Sequence, residues 1–177
     1  NLFAALITGG QLIFNDLDNY DSGHIHHLIE KHHINLINCA PSAFYPLVED
    51  HKSEDREALK HLQHVIFGGE AIKLERLREW IESPHFNARI SNHYGPTECS
   101  DIASFYHIQQ PHYFYDKNIP IGKANSNVQT YILNDKQQLL APGLIGEICI
   151  SGLGVGRGYL NHDELNHEKF IANPFAS

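Results

Sequence analysis

The chain has 177 residues, 42% of them hydrophobic, with 21 acidic and 13 basic side chains for a net charge of −8. That composition supports one sizeable core or two small ones. It disfavours a nucleic-acid surface or a polybasic membrane patch, because basic residues are few and never run together. No apolar stretch approaches the ~20 residues that span a bilayer.

In chain order, Leu2–Thr8 is expected to be a helix closed by Gly9-Gly10, and Gln11–Phe14 a short strand. A His-rich helix, Asp21–His33, follows. It carries His24, His26, His27, His32 and His33, five of the fourteen histidines. It contains no HExxH spacing and has no neighbouring Cys, so a solvated face is the expectation, not a metal site. The run 34–39, ending before Pro41, predicts a strand, and Ser42–Glu49 and Glu54–His61 predict helices. His64–Phe67 predicts a strand running into Gly68-Gly69. Leu74, Leu77 and Ile81 have helical spacing, and Ala88–Ser91 alternates as a strand does.

From about residue 119 the pattern changes to strands at Val128–Leu133 and Ile145–Ser151, separated by turn residues, with one late helix at Asp163–Phe170. The expected architecture is α/β, a mostly parallel sheet flanked by helices, followed by a smaller β-rich, barrel-like subdomain. The expected boundaries are an α/β part at 1–106, a connecting loop at 107–118 and the β-rich part at 119–177. Neither repeats nor low-complexity tracts interrupt it.

Three segments carry chemistry. Asn92-His93-Tyr94-Gly95-Pro96-Thr97-Glu98 places an amide, a stacking ring, a tight turn, a hydroxyl and a carboxylate just past a strand, where open α/β sheets bind ligands. These groups suit a nucleotide and a hard cation, although a Gly-Pro loop with a capping Thr would use the same residues. The second segment is Phe67-Gly68-Gly69-Glu70-Ala71. The third runs from Gly146 to Asn161 and includes Gly152, Gly154, Gly156 and Gly158. Their spacing does not make a GxGxxG fingerprint, and the glycines are read as bends and close-packing positions.

Asn-x-Tyr-Gly-Pro-Thr-Glu resembles the adenine- and magnesium-binding motif of the adenylation domains of non-ribosomal peptide synthetases. The 146–161 segment is similar to the GELxIxGxGVARGYL signature of that family, with Gly156 where Ala is usual. Phe67–Ala71 resembles the loop that lies against adenine, and Pro120-Ile121-Gly122-Lys123 and Tyr131-Ile132-Leu133 also read like the family. The motifs keep family order and cover essentially the whole chain.

The resemblance implies an ATP-dependent ligase that forms aminoacyl-AMP and loads the phosphopantetheine thiol of a peptidyl carrier protein, flanked by other synthetase domains. It implies that Glu98 holds Mg2+ and Thr97 contacts the α-phosphate. It places adenine among Gly68, Gly69, Glu70, Asn92, His93, Tyr94, Gly95 and Thr97. The amino-acid pocket would be lined by Asn38, Ile66, Gly68, His93, Asp101 and Ile102. Asn38, Ile66 and Gly68 resemble pockets for small hydroxylated residues. Asp101 could meet a basic side chain, or His93 and Asp101 could pair at the rim.

The same resemblance puts the phosphate loop and the aspartate for the α-amino group upstream of Asn1. The ribose-binding aspartate and the catalytic lysine belong beyond Ser177. With no Met in the chain, an excised piece, inactive or nearly so alone, is the expectation. No leader is expected. Cys39, Cys99 and Cys149 make no CxxC pair and are expected to be reduced thiols of a cytoplasmic protein. Two other functions fit less of the sequence: an acyl- or aryl-acid CoA ligase, and a non-catalytic nucleotide-binding module.

Overall fold

The computed structural model describes residues 2–15, 17, 19–50 and 55–175. Its helices are α1 (Leu2–Ile7), α2 (Ser22–His32), α3 (Pro41–Glu49), α4 (Arg78–Ile81) and α5 (Asp163–Lys169). Its strands are β1 (Leu36–Cys39), β2 (His64–Gly68), β3 (Arg89–Tyr94), β4 (Ser104–Ile108), β5 (Lys123–Ala124), β6 (Val128–Leu133) and β7 (Glu147–Gly152). A mixed sheet has the order β1-β2-β3-β4-β5, and β6 with β7 forms a separate two-stranded sheet. β1 and β2 are parallel, with Asn38 opposite Ile66 and Cys39 opposite Phe67. β4 and β5 are antiparallel, as are β6 and β7.

The chain divides into two compact units, 1–92 with 106–120, and 93–105 with 121–177. The core lies in the first. Phe44, Leu47 and Val48 of α3 pack with Val65 and Phe67 of β2, Trp80 of α4 and Ile90 of β3, all fully or almost fully buried. Trp80 is tilted against Phe44 with 5.2 Å between ring centroids and meets Phe86 edge-on at 5.0 Å. Such aromatic clusters bury large areas and favour tilted over face-to-face contact.

Local chemistry explains several ends. Asp21 caps α2 by accepting from the His24 amide at 2.8 Å, and His33 closes it in the left-handed region at φ 49°. The N-cap of α3, Ala40, has no side chain that can cap. Its place is taken by a distant carboxylate: Glu70 accepts from the Ser42 amide at 3.2 Å and the Ser42 hydroxyl at 2.9 Å.

Several expectations need correction. Residues 11–14 form no strand, since so short a run gains stability only beside a partner. The segment 104–110, in part assigned to a connecting loop, contains β4, whose Ser-Phe-Tyr-His-Ile sequence mixes buried and half-exposed positions. The helix expected over 74–81 splits into a 3-10 turn, Leu74–Leu77, and α4. The helix expected from Glu54 is a 3-10 helix at Asp55–His61, and Glu54 itself lies outside the described residues. The His-rich helix is also not wholly solvated. His26 is 6% exposed, and its Nε2 lies 2.8 Å from the Leu47 carbonyl oxygen. Among the described residues no helix is long and apolar enough to cross a membrane.

Candidate functional site

The expected site residues divide between the two units. Asn38, Ile66, Gly68, Gly69, Glu70 and Asn92 belong to the first, and His93, Tyr94, Gly95, Thr97, Glu98, Asp101 and Ile102 to the second.

In the first unit, parallel pairing sets Asn38 beside Ile66 on neighbouring strands, and both are half-buried. Gly68 ends β2, and Gly69 turns the chain with φ 83°, a conformation that glycine adopts without strain. The Glu70 carboxylate does not float beyond that turn. Its bonds to Ser42 tie the glycine loop to the start of α3. Asn92 is 8% exposed and donates from Nδ2 to the Pro120 carbonyl at 3.0 Å. That bond orients the side-chain amide and engages one of its two N–H donors. β3 itself continues through Tyr94, so the first half of the heptad sits on the strand, not beyond it.

In the second unit the chain turns sharply. The Ala103 amide donates to the Tyr94 carbonyl at 2.8 Å, which closes the loop between β3 and β4. Ser100 and Asp101 both occupy the left-handed region, at φ 58° and 79°. The Ile102 carbonyl accepts from Asn125 Nδ2 at 2.9 Å, and the half-buried His93 ring lies 6.1 Å from Phe105. Thr97 opens a 3-10 turn, Thr97–Cys99, and is exposed; Glu98 in that turn is half-buried.

Glu98 is held from two directions by the glycine-rich segment. Its carbonyl accepts from the Gly156 amide at 2.7 Å, and its carboxylate accepts a short hydrogen bond from the Tyr159 hydroxyl. Nearby, the Ser100 hydroxyl donates to the Gly154 carbonyl at 2.8 Å. The Tyr159 hydrogen bond holds the Glu98 carboxyl below the usual carboxylate range, helped by its own backbone amide. The same bond pushes the Tyr159 phenol up. Among the described residues no group of three or more His, Cys, Asp or Glu could by itself enclose a metal ion. A cation here would complete its shell with oxygens from a ligand.

Tyr159, Ser100 and Asn166 make tertiary contacts around Glu98 and the glycine-rich segment that local sequence reading misses. Tyr159 shows in the sequence only as the end of the glycine-rich signature, 61 positions from its partner.

The chain matches the AMP-binding enzyme family over residues 1–160. It is 36% identical over 173 residues to gramicidin S synthase 2 of Brevibacillus brevis, covering 97% of this chain and 4% of that protein. It is 35% identical over 177 residues to bacitracin synthase 3 of Bacillus licheniformis, covering 99% of this chain and 3% of that protein. The chain thus spans a small fraction of the length of these relatives. Among solved structures, the N-terminal subdomain of Klebsiella oxytoca NpsA in complex with 3-hydroxybenzoyl-AMSN superposes with a TM-score of 0.82 at 26% identity, over 98% of this chain and 43% of that one. A holo NRPS protein containing adenylation and PCP domains, bound to a vinylsulfonamide inhibitor, gives 0.84 at 27% identity, over 98% and 29%. The chain belongs to the AMP-binding enzyme family.

Proposed function

We propose that the chain is part of an ATP-dependent domain that activates an amino acid as its adenylate and passes it to the phosphopantetheine thiol of a carrier protein. The observation that carries this reading is the joint grip of Gly156 and Tyr159 on Glu98. Two motifs far apart in sequence act as one local structure around a single carboxylate.

In this reading the Gly68-Gly69-Glu70 backbone and Tyr94 flank adenine, and the Asn92 carbonyl oxygen accepts from its exocyclic amine. His93 and Gly95 complete the surroundings of the base, and Thr97 contacts the α-phosphate. The amino-acid side chain meets Asn38, Ile66, Gly68, His93, Asp101 and Ile102. A lone half-buried carboxylate fits Mg2+, which takes one or two protein carboxylates and fills its shell with phosphate oxygens and water. Bound there, the ion would offset negative charge that builds on the phosphates. Glu98 supplies the ligand oxygen and Thr97 a hydroxyl donor, and both act on charge, with no proton transfer required.

A structural neighbour supports the carrier partner, since it joins adenylation and PCP domains. The chain's own residues are consistent with either an amino-acid or an aryl-acid ligase. The peptide-synthetase relatives favour the former.

The test is Glu98→Gln in the whole protein, assayed by amino-acid-dependent ATP–pyrophosphate exchange. Loss of one electrostatic element should cost ~2–4 kcal/mol of transition-state stabilisation. Glutamine still accepts from Tyr159, so the fold should persist. Exchange at the parental rate would sink the assignment.

A further inference from the structure

We propose that Tyr159 is a positioning residue that orients the Glu98 carboxylate for the cation, and that Asn166 holds Tyr159 in place. The inference rests on the reading of Glu98 as the Mg2+ ligand.

Four observations converge. The Tyr159 hydroxyl donates to Oε1 of Glu98. The backbone of Tyr159 is clamped on both sides by one side chain: its amide donates to Asn166 Oδ1 at 2.6 Å, and Asn166 Nδ2 donates to its carbonyl at 2.8 Å. Asn166 sits in α5, and the Tyr159 ring meets Phe170 edge-on at 5.4 Å, just beyond the end of that helix. Finally, Gly158 has φ 121°, and a Cβ there would lie 2.7 Å from Asn166 Oδ1. The glycine is what allows the clamp to close.

A glutamate has three rotatable bonds, and fixing them at the moment of binding costs conformational entropy. A donor on one carboxylate oxygen removes part of that cost in advance. A carboxylate has about four lone-pair sites, so the Tyr159 bond still leaves acceptor capacity for a hard cation. Partners of metal ligands act in this way, and their loss commonly weakens metal binding about 10–100-fold. The Gly156 amide fixes the backbone of the same residue, so tyrosine has only the side chain left to orient. The reverse geometry is also concrete: a hydroxyl seated on the carboxylate could compete with the ion, and its removal would then tighten binding.

The experiment is calorimetric titration of the whole protein with MgATP and, separately, with Mg-free ATP, in the absence of amino acid. Tyr159→Phe keeps the ring on Phe170 and removes only the hydroxyl. It should weaken MgATP binding by roughly tenfold and leave Mg-free ATP unchanged. Asn166→Ala, which loosens the clamp but retains the hydroxyl, should shift MgATP in the same direction by less. In a Glu98→Gln background, Tyr159→Phe should have no further effect. Unchanged or tighter MgATP binding by Tyr159→Phe, with Glu98→Gln still weakening it, overturns the positioning role alone. If Glu98→Gln leaves MgATP binding unchanged, the underlying metal assignment fails instead. Should Tyr159→Phe fold poorly, the Asn166→Ala comparison decides between the same outcomes.

Discussion

Gly95 lies so close to Asp101 that a Cβ placed on it would sit 2.4 Å from the Asp101 carbonyl oxygen and 2.6 Å from the Ala103 amide nitrogen. Both neighbours are backbone atoms. The Ala103 amide is already bonded to Tyr94, and the preceding Ser100 and Asp101 are both in the left-handed region. The turn therefore has little freedom to yield. Gly95→Ala should destabilise the protein by about 1–3 kcal/mol through overpacking, and should disturb the loop that carries Thr97 and Glu98. Denaturant unfolding checks it: a midpoint equal to that of the parent contradicts the close packing.

Trp80 is the sole tryptophan, is fully buried, and its indole N–H has no hydrogen-bond partner among the described residues. Trp80→Ala should cost about 3–5 kcal/mol, as truncation of large core aromatics does. Trp80→Phe keeps the contacts with Phe44 and Phe86 and removes an unpaired buried donor, which itself costs about 1–3 kcal/mol. Its penalty should be under half that of alanine. Urea unfolding followed by circular dichroism compares the two, and equal penalties would rule out the unpaired indole as a liability.

The pattern of these contacts explains what the sequence alone reveals and what it hides. Runs such as 34–39 and 64–67 announce β1 and β2 because apolar residues recur along them between turn signals, although Leu36 and His64 at the strand starts are exposed. β3 extends into Asn92 and His93 because a polar residue inside a strand becomes acceptable once a partner exists, here the Pro120 carbonyl. β4 reads as polar until its neighbours in the sheet are known, since strand preference depends on context. The heptad and the glycine-rich signature are each legible as motifs. That Tyr159 bonds Glu98, and that Glu70 caps α3, are tertiary facts without local periodicity.

Burial pushes the Cys39 thiol from 9.0 up to about 11. A group protonated more tightly in the folded state stabilises fully below its unfolded pKa and loses that contribution as pH rises through the folded one. Stability should therefore fall between pH 9 and about 11, by at most about 1.4 kcal/mol per pH unit from this thiol. Tyr20, raised to about 12 chiefly by burial, extends the decline upward, because ionisation also removes its hydrogen bond to the Ala43 carbonyl. Cys39→Ser should flatten the lower part of this profile. Alkylation of Cys39 in the folded protein should also be far slower than that of an ordinary thiol at about pH 8. A stability curve level from pH 9 to about 11 in the parent would refute both expectations.

The proposed pocket residues carry an expectation about the substrate. Parallel register presents Asn38 and Ile66 side by side, an amide next to an aliphatic surface, the combination that suits a short side chain with one hydroxyl. Asp101 is exposed, and in the proposed pocket its carboxylate would meet a cationic side chain. A polar L-amino acid is therefore expected, threonine-like or basic, and a panel of pyrophosphate-exchange assays on the whole protein separates the two. Asp101→Ala discriminates further. If the substrate is basic, loss of a charge-assisted hydrogen bond should lower kcat/KM by an amount equivalent to about 1.5–3 kcal/mol of transition-state stabilisation, whereas a threonine-like substrate should hardly respond. Preference for leucine, valine or phenylalanine would show that these residues do not line the pocket.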